Sequence, residues 1–265
     1  MSSEEKNNSF LRVSGICKNY ANVRALTNVD FEINKGEVVG LLGDNGAGKT
    51  TLIKIILGLE HPTSGEIYLE GKKVEIKNAA QTRKLGMEAS YQNLALVPEM
   101  NITRNFFLGR EILKWYGPFK LMNIKEMGKI TSMKLEDIGI KRNISPYTKA
   151  NTLSGGEQQS VGIGRATYFG AKLLVLDEPT SALSINETNK VLEYVKLAKD
   201  SGLAVIFITH NVYHVYSVAD RFVILEEGMV IGNYEKKDVT TNDIVDAISK
   251  GKIIASKISN RIECK

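Results

Sequence analysis

The chain has 265 residues, 43% hydrophobic and 25% charged, an ordinary globular composition with enough length for a substantial core. Its net charge of +5 is too modest to demand nucleic acid or lipid as a partner, and the C-terminal run 250–265 supplies much of it as solvated surface. No stretch approaches the roughly 20 apolar residues of a membrane helix. Residues 1–9 are polar with no leader pattern behind them, and Cys17 and Cys264 lack metal-ligand spacing. The expectation is a reducing compartment and, at any membrane, a peripheral role through a partner.

Short apolar or alternating runs at 11–16, 29–33 and 38–42 predict strands, and 66–69 with 73–76 around Gly71 predict a hairpin. After Gly48 a helix is expected, with Leu52, Ile53, Ile56 and Leu57 on one face and Gly58 at its end. From about 93 to 168 the pattern turns helical, around 101–109, 123–137 and 155–168, with few strand signals; this reads as a helical insert. Strand 172–176, helix 186–200, strand 203–209, helix 211–218 and strand 221–225 then alternate, which argues for a parallel sheet with helices on its faces. The ends, 1–9 and 250–265, are expected to be loose.

Several apolar strands end directly in polar residues: 38–42 at the Gly43 loop, 87–91 at Gln92, 173–176 at Asp177 and Glu178, 204–209 at His210. Ligands of open parallel sheets bind beyond the carboxyl ends of the strands, so these groups are expected in one crevice.

Residues 43–50, Gly43-Asp44-Asn45-Gly46-Ala47-Gly48-Lys49-Thr50, match the phosphate-binding loop pattern G-x-x-x-x-G-K-[ST]. Glycines let the backbone curl so that successive N–H groups face phosphate oxygens, and the helix that follows adds its positive end. Lys49 is expected at the β- and γ-phosphates, the Thr50 hydroxyl on Mg²⁺, and Thr51 at the α-phosphate. A glycine turn with a surface lysine would also contain Gly-Lys-Thr, but would not sit between an apolar strand and an amphipathic helix. Asp177 is expected to hold Mg²⁺ through water, and Glu178 to accept the proton of the attacking water. Asp-Glu-Pro alone could merely start a loop; a phosphate loop in the same chain favours the catalytic reading.

Residues 153–159, Leu-Ser-Gly-Gly-Glu-Gln-Gln, stand shortly before the Asp177–Glu178 strand. They resemble the signature of ATP-binding cassette proteins, and the resemblance extends over about 10–240. It implies an α/β fold: a P-loop nucleoside-triphosphatase core with a parallel sheet, an N-terminal antiparallel β-subdomain and an α-helical insert. The implied divisions are 10–92 and 169–240 for the core, 93–168 for the helical subdomain and 241–265 for a tail. It implies ATP and Mg²⁺ as ligands. By the same resemblance Tyr20 stacks on adenine, Gln92 senses the γ-phosphate and Mg²⁺, 181–184 touches an opposite subunit, and His210 contacts the γ-phosphate. Ser154, Gly155 and Gly156 open a helix, a second anion-binding end. The resemblance implies a head-to-tail homodimer with two ATP molecules, in which each signature closes over the other chain's nucleotide. Two residues depart from the family pattern: Ser184 where Asp usually ends the cross-subunit loop, and Ser160 where an arginine usually follows the glutamines.

The stretches 43–58, 91–111, 163–172 and 209–222 resemble the simple-sugar import branch, which serves ribose, xylose, fructose and related monosaccharides. The implied partners are transmembrane permease subunits and, indirectly, a solute-binding protein, with the chain peripheral at the cytoplasmic face of the membrane and no nucleic acid expected. Apolar residues in 94–107 read either as core or as a groove for a short permease helix. Three alternatives stay open at this point: another cargo such as a nucleoside or a sugar-derived signal, a soluble cassette acting on ribosomes or DNA, and a non-catalytic regulatory cassette.

Overall fold

The computed structural model describes residues 9–90, 96–138, 140, 144–181 and 183–259, with the side chains of 90 and 252–259 left aside. In chain order, β1 (Ser9–Tyr20) and β2 (Val23–Asn34) form a long antiparallel hairpin. β3 (Val38–Leu42) runs into the glycine loop and α1 (Lys49–Ile56). A second hairpin, β4 (Ser64–Leu69) and β5 (Lys72–Val74), turns through Gly71 at φ +79°. α2 (Ala79–Lys84), capped by Asn78, leads to β6 (Met87–Ser90).

The middle of the chain holds α3 (Ile102–Phe106), the hairpin β7 (Leu113–Tyr116) and β8 (Phe119–Met122), α4 (Ile124–Asp137) and α5 (Gly155–Tyr168). β9 (Leu173–Asp177), α6 (Ile185–Asp200), β10 (Ala204–Ile208), α7 (Val212–Tyr216), β11 (Arg221–Glu226), β12 (Met229–Glu235) and α8 (Thr241–Ser259) complete it.

Two sheets carry the core. The larger has the order β12-β11-β3-β10-β9-β6, parallel except for β12 at its edge. Every residue of β3 and β10 is buried, because both faces of this sheet are covered. Alternation divides their side chains. Val39, Leu41, Ile206 and Ile208 pack with Leu52, Ile53 and Ile56 of α1 and with the antiparallel sheet β2-β1-β4-β5. Val38, Leu42, Val205 and Phe207 pack with Val191 and Val195 of α6, Val215 of α7 and Ile244 of α8. A third core joins Ile102, Phe106 and Phe107 to Met127 and Leu135 of α4 and Val161 of α5. This third cluster makes the insert a small helical layer of its own.

The architecture is the expected one, with five local differences. The middle segment contains the β7–β8 hairpin. Strand β12 and helix α2 were not anticipated. The tail is helical through Ser259, so the expectation of a loose end does not hold for 250–259. Ile55 is buried beside Leu52, Ile53 and Ile56, so α1 is covered on more than one face. The choice for 94–107 also resolves in part. Leu96, Ile102, Phe106 and Phe107 are core, whereas Val97 is exposed, as is Leu108 just beyond the stretch, and 94–95 lie outside the described residues.

Candidate nucleotide-hydrolysing site

Register brings the strand ends together. Asp177 of β9 stands beside Ile208 of β10, which stands beside Leu41 of β3, and Ser90 of β6 flanks Leu176. The phosphate loop, the Asp177–Glu178 pair and His210 therefore leave the sheet side by side, as the polar strand ends predict. Gln92, two residues past β6, lies outside the described residues.

The loop needs its glycines for two different reasons. Gly43 (φ +144°) and Gly48 (φ +99°) have left-handed or extended-positive backbones in tight quarters: a Cβ at Gly43 would stand 2.2 Å from the Leu225 carbonyl, and one at Gly48 2.9 Å from the Ala25 carbonyl. Gly46 (φ +85°) has open space around it and is needed for its backbone angle alone. Asp44 is half-buried, Asn45 exposed and Ala47 buried. Ala47 is fixed by hydrogen bonds at both ends: its N–H donates to the Asp44 carbonyl (3.1 Å), and its carbonyl accepts from Gly228 N–H (3.1 Å). Gly48 caps α1, and among the described residues no side chain caps that end and no acid occupies its first turn. The opening N–H groups of α1 thus keep their attraction for an anion. Thr50 is exposed at this end and Thr51 half-buried.

Lys49 Nζ donates to the carbonyls of Gly43 (2.8 Å) and Asp44 (2.9 Å), so the ammonium sits under the loop. Burial lowers its pKa, against the opposing pull of Glu178, Asp177, Asp44 and Glu226. Asp177 is shifted the other way: burial and then the Glu178 charge raise its carboxyl, with Lys49 opposing. One ammonium among several carboxylates leaves the crevice electrostatically tuned for added cationic charge.

Glu178 adopts φ +49°, a left-handed backbone that a glutamate enters only when surroundings hold it there. The surroundings are the end of β10. Glu178 N–H donates to the Ile208 carbonyl (2.9 Å). The carboxylate accepts from Thr209 Oγ1 (3.1 Å) and from His210 N–H (3.1 Å), and Oε1 lies 2.8 Å from His210 Nδ1. The Glu178 side chain is 15% exposed and that of His210 67%. A fixed carboxylate beside a phosphate loop, open on one side, can take a proton from water. The Glu178–His210 pairing and the role of Thr209 were not anticipated. Nothing in the linear sequence indicates that the residue after Asp177 turns back onto the neighbouring strand.

Tyr20 ends β1 and is 38% exposed, with Lys18 Nζ 4.8 Å from its ring centroid. The partner strand of this hairpin reaches the phosphate loop, since Ala25 and Leu26 back against Gly48 and Gly228. Tyr20 and the loop therefore belong to one frame.

The signature residues are built as a helix cap. Ser154 caps α5 in a reciprocal box with Glu157: its N–H donates to Glu157 Oε2 (2.8 Å), and Glu157 N–H donates to Ser154 Oγ (3.4 Å). The nearest neighbours of Gly155 and Gly156 are Leu183 and Glu187, which a Cβ would meet at 2.7 and 2.9 Å. Both departures from the family pattern acquire a reason here. Ser184 caps α6 in a second box with Glu187, and Ser and Asp serve equally in that position. Ser160 is 2% exposed, and its hydroxyl donates to the Gly156 carbonyl (2.8 Å), a place with no room for a solvated arginine.

Glu187 joins the two caps. Hydrogen bonds from the Ser184 hydroxyl and amide, and then from the Ser154 hydroxyl and Gly156 amide, hold its carboxyl down at about 2, against an ordinary 4.5. The ionised form belongs to the folded state, so its stabilisation is complete above pH 4.5 and lost as pH falls toward 2. The expected result is a constant gap in urea midpoint between the native chain and Glu187→Gln from pH 7 to about 5.5, shrinking steadily below pH 4.5. A gap unchanged down to pH 3 would show that the carboxylate charge is not what holds the caps together.

Fold and site together define a P-loop nucleoside-triphosphatase. The family profile for ABC transporters matches residues 26–181. The chain is 42% identical to the xylose/arabinose import ATP-binding protein of Sulfolobus acidocaldarius over 240 residues, 91% of this chain and 94% of that one. It is 40% identical to the fructose import ATP-binding protein of Rhizobium meliloti over 242 residues, 89% of this chain and 92% of that one. Among solved structures, an ATP-binding cassette of an ABC transporter in its ADP conformation superposes with a TM-score of 0.76 at 26% identity, covering 94% and 98% of the two chains. A cassette dimer in a post-hydrolysis state, bound to ADP and phosphate, superposes at 0.71 and 26% identity, covering 85% and 98%. The chain belongs to the ABC transporter family and is one of its ATPase cassettes.

Proposed function

We propose that this chain is the ATP-hydrolysing subunit that drives import of a monosaccharide through a membrane permease. The observation that carries the hydrolytic part is the row of adjoining strand ends, which sets the phosphate loop beside Asp177, Glu178 and His210. The xylose/arabinose and fructose relatives, matched over almost their full length, support the sugar.

The roles follow from position. The loop N–H groups, the opening of α1 and Lys49 bind the phosphates. Tyr20 receives the base. Glu178 takes a proton from the attacking water, while Thr209 and His210 hold its carboxylate in place. His210, mostly exposed, can turn toward a γ-phosphate. The Thr50 hydroxyl and the Asp177 carboxylate would hold Mg²⁺, with Gln92 as the third candidate ligand. A half-buried carboxylate with a raised pKa and a hydroxyl are hard oxygen donors that suit this ion, and they leave further positions for water and phosphate oxygens. When bound, the ion neutralises charge on the phosphates.

The signature end of α5, clasped to α6 by Glu187, faces a second nucleotide supplied by another copy of the chain. That gives a head-to-tail homodimer with two ATP molecules; the solved cassette dimer supports such a pairing in the family. Among the described residues no helix is long and apolar enough to cross a membrane. In the proposed complex the chain sits peripherally on the cytoplasmic face, held by permease subunits near the exposed Val97 and Leu108 and served by a solute-binding protein.

The test is a gentle detergent pull-down of the tagged chain from its own cells, followed by ATPase assays on the recovered complex. A multi-pass membrane protein with a solute-binding protein, and hydrolysis raised by a monosaccharide, is the expected result. Stimulation by a nucleoside instead would replace the cargo. Recovery of ribosomes or nucleic acid with no membrane protein would remove transport and leave the ATPase.

A further inference from the structure

The β7–β8 hairpin is out of keeping with the rest of the molecule. It forms a two-stranded sheet of its own, and all eight of its strand residues are exposed. A short hairpin in water ordinarily persists by packing one face on a core. This one packs neither. Cross-strand pairing puts Leu113 with Met122 and Trp115 with Lys120 on one face, and Lys114 with Leu121 and Tyr116 with Phe119 on the other. Each face thus shows three apolar side chains and one lysine. Trp115 is 63% exposed and Phe119 69%. The tip is Gly117–Pro118, with Gly117 at φ +59°, and the base is closed by Asn123 N–H on the Ile112 carbonyl (2.7 Å). Exposed apolar clusters of this size mark contact surfaces.

Charge selects the kind of partner. From 112 to 125 the sequence carries Lys114, Lys120 and Lys125 and no acidic residue. Lys120 Nζ lies 4.7 Å from the Trp115 ring centroid and Lys114 Nζ 5.7 Å from that of Tyr116, so ammonium and aromatic groups form mixed clusters. Aromatic rings with lysines that reach past them characterise chains at a membrane–water boundary. A flat protein surface would bury one face of the hairpin and leave the other in water. A bilayer surrounds an inserted tip and covers both. The unpaired outer edges of two short strands confine it to headgroup depth, where water still satisfies backbone groups.

We propose that β7–β8 is a membrane-surface contact: its apolar side chains enter the headgroup boundary of an anionic bilayer, and Lys114, Lys120 and Lys125 pair with lipid phosphates. The contact goes beyond the transport reading and needs no permease, so it is tested on the purified chain alone.

Trp115 is the single tryptophan, and its emission reports on this hairpin only. The experiment titrates the full chain with vesicles of phosphatidylglycerol and phosphatidylcholine, or of phosphatidylcholine alone, and follows the emission maximum. A blue shift on the anionic vesicles is expected. The double variant Lys114→Glu, Lys120→Glu, with ATPase activity unchanged, is expected to need about tenfold or more lipid for half the shift. An unmoved emission on anionic vesicles would overturn the proposal, as would an equal shift on neutral ones. A shift that appears only when permease is reconstituted into the vesicles would assign the hairpin to a protein contact instead.

Discussion

Glu178→Gln is expected to lower the turnover of ATP hydrolysis by about 10² to 10⁴, the usual worth of a positioned general base. ATP affinity should stay within about threefold of the native value, since the change removes a step and not a binding contact. The geometry explains why this variant is clean. The Glu178 carboxylate accepts from Thr209 Oγ1, from His210 N–H and beside His210 Nδ1. A glutamine keeps one acceptor oxygen, and the Thr209 hydroxyl can reverse to accept from its amide. The left-handed backbone at 178 is held by the Ile208 and Ser181 hydrogen bonds, which the substitution leaves alone. Quenched-flow or steady-state phosphate release checks the rate, and size-exclusion chromatography with light scattering checks assembly. The variant should remain dimeric with saturating ATP. Turnover within about threefold of native would remove Glu178 from the base role, and monomers at saturating ATP would count against closure on the γ-phosphate.

Lys49→Ala carries the second large effect, on binding. The ammonium is held by the Gly43 and Asp44 carbonyls and lies in the field of Glu178, Asp177, Asp44 and Glu226. Its loss leaves those carboxylates facing the incoming phosphates with no cation between them. Truncating one partner of a partly buried charge cluster costs about 2–5 kcal/mol, so the ATP dissociation constant should rise about 30-fold to several thousandfold. Lys49→Arg should recover little, because a planar fork cannot replace a point charge that two carbonyls receive from below. Calorimetric titration with ATP measures both. Affinity within about threefold of native in the alanine variant would show that the loop backbone alone binds the nucleotide.

The phosphate loop, the Asp177–Glu178 pair and the cap at Ser154 were legible because each is a local motif: its residues are neighbours in sequence and its chemistry needs that spacing. The convergence of separate strand ends was legible too, since a parallel sheet has one carboxyl edge. What escaped was set by tertiary contact. Glu187 looks like any first-turn glutamate of α6, and only packing against Gly156 brings it to the signature. Thr209 looks like the last residue of a strand. The β7–β8 hairpin hides because neither face is buried, so its strands lack the apolar–polar alternation that signals half-burial. Strand β12 lies at a sheet edge and is mostly half-exposed, which weakens the same signal. Helix α8 shares a basic segment that composition alone assigns to a loose tail, yet it packs on β11, β12 and α7, and Ile244 is fully buried in the core they share.

The clasp formed by Glu187 bears on timing. Five residues of chain separate Glu178 from Ser184, and Ser184 shares the Glu187 carboxylate with Ser154. In the proposed head-to-tail pair, Glu178 serves the nucleotide on its own loop while Ser154 grips the nucleotide of the other copy. A shift of the backbone at 178, as water is consumed and phosphate departs, would there be felt at the opposite grip through a short stretch of chain. In that pair the two pockets would share one clock, each turnover being felt by its counterpart.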